Sequence, residues 1–152
     1  EAMAQICAEA EKSSTIELDR DFLDRTFTRI DQSVAMATLF TAHHLKVKAI
    51  VALTQSGSTA LWMSRLNVGC PIYALTPEHA SLRKMAIYRN VRPLHLEQAG
   101  DRDRVLEAAE QVLIDGGKVA PGDLIVITIG EPLGKSGGTN TMKIVRVGDN
   151  RA

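Results

Sequence analysis

Apolar and polar positions change period several times along the chain. In the opening "EAMAQICAEAEKSS", Ala2, Ile6 and Ala10 recur at i, i+4, which predicts a helix ending near Ser13-Ser14. A charged connector follows through Asp24, with a short helix expected at Phe22 to Phe27. An Ala-rich, proline-free stretch from about Ile30 to Leu45 predicts a longer helix, with Ile30, Val34, Ala37 and Thr41 on one face beside Leu45. The pattern then alternates between short β-rich runs and helical segments. "KAIVALT" (Lys48 to Thr54) reads as a strand and "STALWMSRL" as a helix with a Ser/Thr start. "CPIYALT" (Cys70 to Thr76) is a second strand, and "PEHASLRKMAIY" a helix opening on Pro77, whose missing N–H costs nothing there. "VRPLHL" (Val91 to Leu96) is a third strand, placed near an edge by Pro93. "DRDRVLEAAEQVLIDGG" predicts a helix with Val105, Ala109, Val112 and Leu113 inward and Gly116 at its C-cap. "LIVITI" (Leu124 to Ile129) is apolar on both faces, as a central parallel strand must be, and "NTMKIVRV" is the last strand.

Strands alternating with helices predict a three-layer α/β fold. The sheet is mostly parallel and five-stranded, with helices on both faces. No helix separates the last two strands, so the final strand should run antiparallel. Ligands in such sheets gather outside the C-terminal strand ends near the switch point. Two loops belong there: Thr54 to Thr59 and Gly130 to Thr139.

At 152 residues the chain favours one domain and needs no metal or disulfide staple. Lys and Arg number 18, as do Asp and Glu, and this balance argues against a general nucleic-acid or membrane-surface binder. Cys7 and Cys70 stand far apart without a metal or disulfide pattern, which fits a reducing cytoplasm. The chain lacks an initiator methionine and is helical from its first residue, so we expect a longer chain to have been cut here.

The candidate chemistry lies in the two loops. "GEPLGKSGGTNTMKIV" superficially suggests a Walker A phosphate loop, but only Glu131, Pro132 and Leu133 separate Gly130 from Gly134-Lys135-Ser136, and a strand rather than a helix follows. "TQSGSTA" leaves a strand and enters a helix, with hydroxyls on Thr54, Ser56, Ser58 and Thr59 and close backbone approach at Gly57. Helix-start N–H groups there suit an anion, but Ser and Thr are also ordinary N-caps, and both readings stand. His43-His44 are adjacent on a helix and point about 100° apart, a poor metal site. His79 and His95 read as isolated, Trp62 and Leu66 as core, and Cys70 as a buried small hydrophobe. Arg83, Lys84 and Arg89 read as a solvated or subunit-facing basic cluster, and "DRDR" (Asp101 to Arg104) as a helix-start charge pattern.

Taken in order, "AIVALTQSGSTA", "CPIYALTP", "IYRNVRPLHL" and "GDLIVITIGEPLGKSGGTNTMKIVRV" resemble the C-terminal domain of bacterial pyruvate kinases. The opening segment resembles the helix that ends the family's catalytic barrel. The resemblance divides the chain into residues 1–14 from the barrel's end, a connector at 15–29, and the α/β domain at 30–152. It implies a parent enzyme that moves phosphate from phosphoenolpyruvate to ADP with Mg2+ or Mn2+ and K+. Those catalytic and metal residues lie in the barrel, so no residue of this chain is expected to be catalytic or to bind metal. The domain is regulatory in the family and contributes to a homotetramer. The resemblance implies phosphate binding by Thr54, Gln55, Ser56, Gly57, Ser58 and Thr59. It further implies a closing loop at Gly134, Lys135, Ser136, Gly137 and Gly138, with Arg104 the nearest match to a helping basic residue.

Family members that bind fructose 1,6-bisphosphate often carry a lysine where Gln55 stands, and a basic residue can stand at Ser58. Glu131 adds a negative charge that Lys135 can offset. This charge balance favours a sugar monophosphate or AMP over the bisphosphate. Three functions compete: an allosteric binding module, a purely structural assembly domain with a vestigial site, and a free-standing enzyme on a small phosphorylated substrate. The last lacks any catalytic pattern beside the loop.

Overall fold

The computed structural model describes residues 2–12 and 24–149. Helix α1 (Ala2–Lys12) is followed, after residues outside the description, by α2 (Ile30–Leu45), β1 (Ala49–Leu53), α3 (Ser58–Ser64) and β2 (Ile72–Thr76). Helix α4 (His79–Met85), β3 (Val91–His95), α5 (Arg102–Asp115), β4 (Leu124–Gly130) and β5 (Thr139–Arg146) complete the chain. The sheet order is β3-β2-β1-β4-β5, with β5 antiparallel to β4 and every other pair parallel.

The order follows from composition. β1 and β2 are buried at every position and lie inside the sheet, where an unbroken apolar run can be covered on both faces. β3 is buried only at Val91, and its Pro93, in register with Ala74, sits on the edge strand where a missing N–H is tolerated. One core cluster lies on the α5 face, joining Val105, Ala109 and Leu113 to Val51, Tyr73 and Ile127. The other joins Ala35 and Leu39 of α2, Met63 of α3 and Met85 of α4 to Ile50, Ile72 and Val126. Each buried Leu, Ile or Met side chain stabilises the fold by about 1.5–3 kcal/mol. The three-layer α/β fold is therefore as the sequence predicts.

Helix α5 is capped as the charge pattern suggests, because Asp101 Oδ1 accepts the Arg104 N–H at 3.0 Å. Gly116 is its C-cap, and the left-handed residue is Gly117, φ +63°. The buried Glu110 carboxylate accepts the Gly148 N–H at 2.8 Å, tying the chain after β5 to α5.

Several details differ from expectation. Residues 24–27 are not helical, and Phe22 and Leu23 lie outside the described residues. Helix α2 buries Asp31, Ala35, Thr38, Leu39 and Ala42, while Ile30, Ala37 and Leu45 are exposed. The inward face carries small Ala and Thr side chains, which suit close approach to the sheet, and its buried Asp31 is paired with Arg29, which donates to it at 2.7 and 2.9 Å. Trp62 and Leu66 are only half-buried at the margin of the second cluster, with the Arg65 guanidinium 4.0 Å over the indole. His79 and His95 are not isolated, since their rings stack at 4.9 Å across the ends of α4 and β3.

Candidate functional site

β1 leads to β2 and β3 on one side, whereas β4 and β5 lie on its other side. The switch point of the sheet is thus between β1 and β4, and the loops that follow these strands meet there. A pocket at their C-terminal ends is lined by Thr54 and Gln55 after β1, Gln98 after β3, and Gly130 at the end of β4. Leu133, Gly134, Lys135 and Gly137 of the β4–β5 loop complete it with Thr139. Its free volume is about 10 Å³, room for one water-sized sphere. Lys135 is the only ionisable residue among those lining it.

The turn "TQSGSTA" is built differently from a simple Ser/Thr cap. Gly57 is the N-cap of α3 at φ +80°, and no side chain caps the helix. The Thr54 hydroxyl instead accepts the Gly57 N–H at 3.0 Å, closing the turn from its first residue. The Gln55 carbonyl accepts from Ser81 Oγ at 2.6 Å and Thr76 Oγ1 at 3.3 Å, which fixes the backbone against β2 and α4. Its side-chain amide donates to Gln98 Oε1 at 2.8 Å. The buried Thr59 and Thr139 hydroxyls share a 2.6 Å hydrogen bond that pins α3 to the start of β5. Ser56 and Ser58 are half-buried with no side-chain hydrogen bond among the described residues, so their hydroxyls are available to a ligand.

The β4–β5 loop is exposed from Glu131 to Gly137 apart from half-buried Leu133. Asn140 closes its base, donating to the Glu131 carbonyl at 2.7 Å and accepting the Glu131 N–H at 3.0 Å. Gly130 must be glycine, since a Cβ there would sit 2.8 Å from the Gly138 carbonyl oxygen. Gly134 and Gly137 take the positive φ values the loop needs.

The candidate residues are only partly gathered. Thr54, Gln55, Gly134, Lys135 and Gly137 line the pocket, while Ser56, Gly57, Ser58, Thr59, Ser136 and Gly138 flank it within the same two loops. Arg104 does not line it, and its side chain packs by Gly100. Arg102, two positions earlier, reaches the closing loop instead and donates to Glu131 Oε1 at 3.4 Å. Its guanidinium pKa is raised, first by the hydrogen bond and charge of Asp103 and then by Glu131. Glu131 also accepts from Thr141 at 3.3 Å and does not line the pocket, so its charge is engaged outside it. Gln98 carried no sequence signal, because it lies in a segment without a motif, and Arg102 was legible only as part of the helix-start charge pattern; both reach the loops through the strand order.

His43 and His44 meet edge to face at 5.2 Å, and burial lowers the His43 pKa, with smaller contributions from Lys46 and His44. No group of three or more His, Cys, Asp or Glu side chains among the described residues could hold a metal ion. Arg83 and Lys84 are exposed on α4, and Arg89 is half-buried. Among the described residues no helix is long and apolar enough to cross a membrane.

The family model described as pyruvate kinase, alpha/beta domain, matches residues 32–145. Pyruvate kinase II of Salmonella typhimurium is 38% identical over 147 residues, covering 96% of this chain and 31% of that protein. A pyruvate kinase of Buchnera aphidicola subsp. Schizaphis graminum is 38% identical over 149 residues, with 96% and 31% covered. A pyruvate kinase of Staphylococcus epidermidis is 41% identical over 125 residues, 82% of this chain and 21% of that protein. The chain thus spans about a third of the length of the first two relatives. It belongs to the pyruvate kinase family, as that family's alpha/beta domain.

Proposed function

We propose that this chain is the regulatory domain of a pyruvate kinase, and that it binds a phosphorylated effector in the pocket between the "TQSGSTA" turn and the β4–β5 loop. The whole protein transfers phosphate from phosphoenolpyruvate to ADP in the cytoplasm, with Mg2+ or Mn2+ and K+ held by residues outside this chain. The observation that supports the effector reading is the pocket at the switch point, where Thr54 and Gln55 of the turn face the single lining cation, Lys135 of the other loop, with the unengaged Ser56 and Ser58 hydroxyls beside it in the turn. One positive charge suits one phosphate, which favours a sugar monophosphate or AMP over fructose 1,6-bisphosphate. In this reading the exposed β4–β5 loop closes over the bound ligand.

Steady-state kinetics of the full-length protein test both parts. Pyruvate formation from phosphoenolpyruvate and ADP is expected, with half-saturation by phosphoenolpyruvate shifted about fivefold or more by glucose 6-phosphate or AMP. Absence of turnover overturns the enzymatic assignment. Turnover indifferent to every phosphorylated ligand overturns the effector role.

A structural role in the parent homotetramer has its own support. Phe40 and Leu45 on α2 are 41% and 46% exposed, and Ile144 on β5 is 46% exposed. Ile144 shares a sheet face with Met142, which packs in the α2 cluster, so these apolar side chains lie toward one side of the domain. Among the described residues β5 is also an edge strand of the sheet, with a free side outside the strand ladder.

A further inference from the structure

The amide pair at the pocket has a role that neither the family match nor the turn motif assigns. Gln55 Nε2 donates to Gln98 Oε1 at 2.8 Å, and Gln98 Nε2 donates to the Leu75 carbonyl at 3.3 Å. The second bond fixes which way the Gln98 amide faces, because a flipped amide would set two acceptors against each other. The pair therefore bridges the loops after β1 and β3 across the end of β2. It leaves one N–H on each amide and the side-chain oxygen Oε1 of Gln55 without a partner among the described residues. Both side chains are half-buried and line the pocket. The pocket's charge comes from the other loop, at Lys135.

Resting on the effector reading above, we propose that Gln98, acting with Gln55, forms the subsite that reads the uncharged, hydroxyl-bearing body of a sugar phosphate monoester. Sugar hydroxyls both donate and accept, and so match an amide pair that offers both. A second phosphate at this place would lose water against neutral dipoles, including Gln55 Oε1, without a counter-charge. Gln98 is thus a specificity-determining residue, and the pair selects one phosphate rather than two.

The test compares ligands on the wild-type chain and on Gln98→Met, which keeps the length of the side chain and removes its donors and acceptor. The probes are glucose 6-phosphate, AMP and fructose 1,6-bisphosphate, by calorimetry, and inorganic phosphate, by NMR titration. The variant is expected to bind glucose 6-phosphate about tenfold more weakly while holding inorganic phosphate within about twofold of wild type. If Gln98→Met does not fold, as judged by thermal unfolding, Gln55→Met probes the same pair with the same expected split. Equal loss of both ligands would show a merely structural bridge and overturn the proposal, as would unchanged glucose 6-phosphate affinity. Loss confined to AMP would overturn the sugar assignment. Wild-type silence toward all four probes would overturn the effector reading itself, and this inference with it.

Discussion

A Cβ placed on Gly57 would sit 2.8 Å from Met85 Cγ and 2.9 Å from its Sδ, at a φ of +80°. Met85 is fully buried and cannot swing out, so Gly57→Ala combines backbone strain with overpacking. We expect the substitution to cost about 1–3 kcal/mol in chemical denaturation. The same corner holds the Tyr88 hydroxyl, which is buried without a hydrogen-bond partner among the described residues. Tyr88→Phe removes that unsatisfied group and is expected to leave stability unchanged or raise it by up to about 1 kcal/mol. A loss of similar size would show that the hydroxyl has a partner. Burial pushes the Cys70 thiol up to about 11 from an ordinary 9.0. The folded state holds this proton where the unfolded chain releases it. The contribution to stability is therefore complete below pH 9.0 and is lost as pH rises toward about 11. Alkylation at pH 8 should modify exposed Cys7 and spare buried Cys70 until the chain is unfolded.

At the scale of elements, the Thr59–Thr139 bond joins the first turn of α3 to the first residue of β5, and so sets where the β4–β5 loop returns to the sheet. A double-mutant cycle with Thr59→Val and Thr139→Val is expected to give a coupling of about 1 kcal/mol, because either single change strands a buried hydroxyl. Zero coupling would mean that the two elements are held by other contacts. The elements themselves were legible in the sequence wherever burial followed period. β1, β2 and β4 are apolar runs inside the sheet, and Pro93 marked the edge. Legibility failed where long-range pairing decides exposure. Asp31 looks like a solvated residue, yet it is buried and paired with Arg29, while the apolar Ile30 beside it is exposed. The site was half legible for the same reason. The turn and the glycine loop are local motifs, whereas Gln98 and Arg102 are recruited across the fold.

For the molecule as a whole, the pocket proposed as the effector site lies at the C-terminal end of the sheet. The apolar side chains of α2 and β5 lie along its flank. If that flank supports assembly, Ile144→Glu should weaken self-association of the full-length protein in sedimentation without altering its far-UV spectrum. The central claim, that the β1 turn and the β4–β5 loop form a phosphate-effector site, is tested most directly by calorimetric titration of this chain with glucose 6-phosphate, ribose 5-phosphate, AMP and fructose 1,6-bisphosphate, repeated on Ser56→Ala and Lys135→Ala. The account predicts saturable binding of a monophosphate in preference to the bisphosphate, weakened about tenfold by either substitution. Binding that both substitutions leave untouched, or a clear preference for fructose 1,6-bisphosphate, would contradict it.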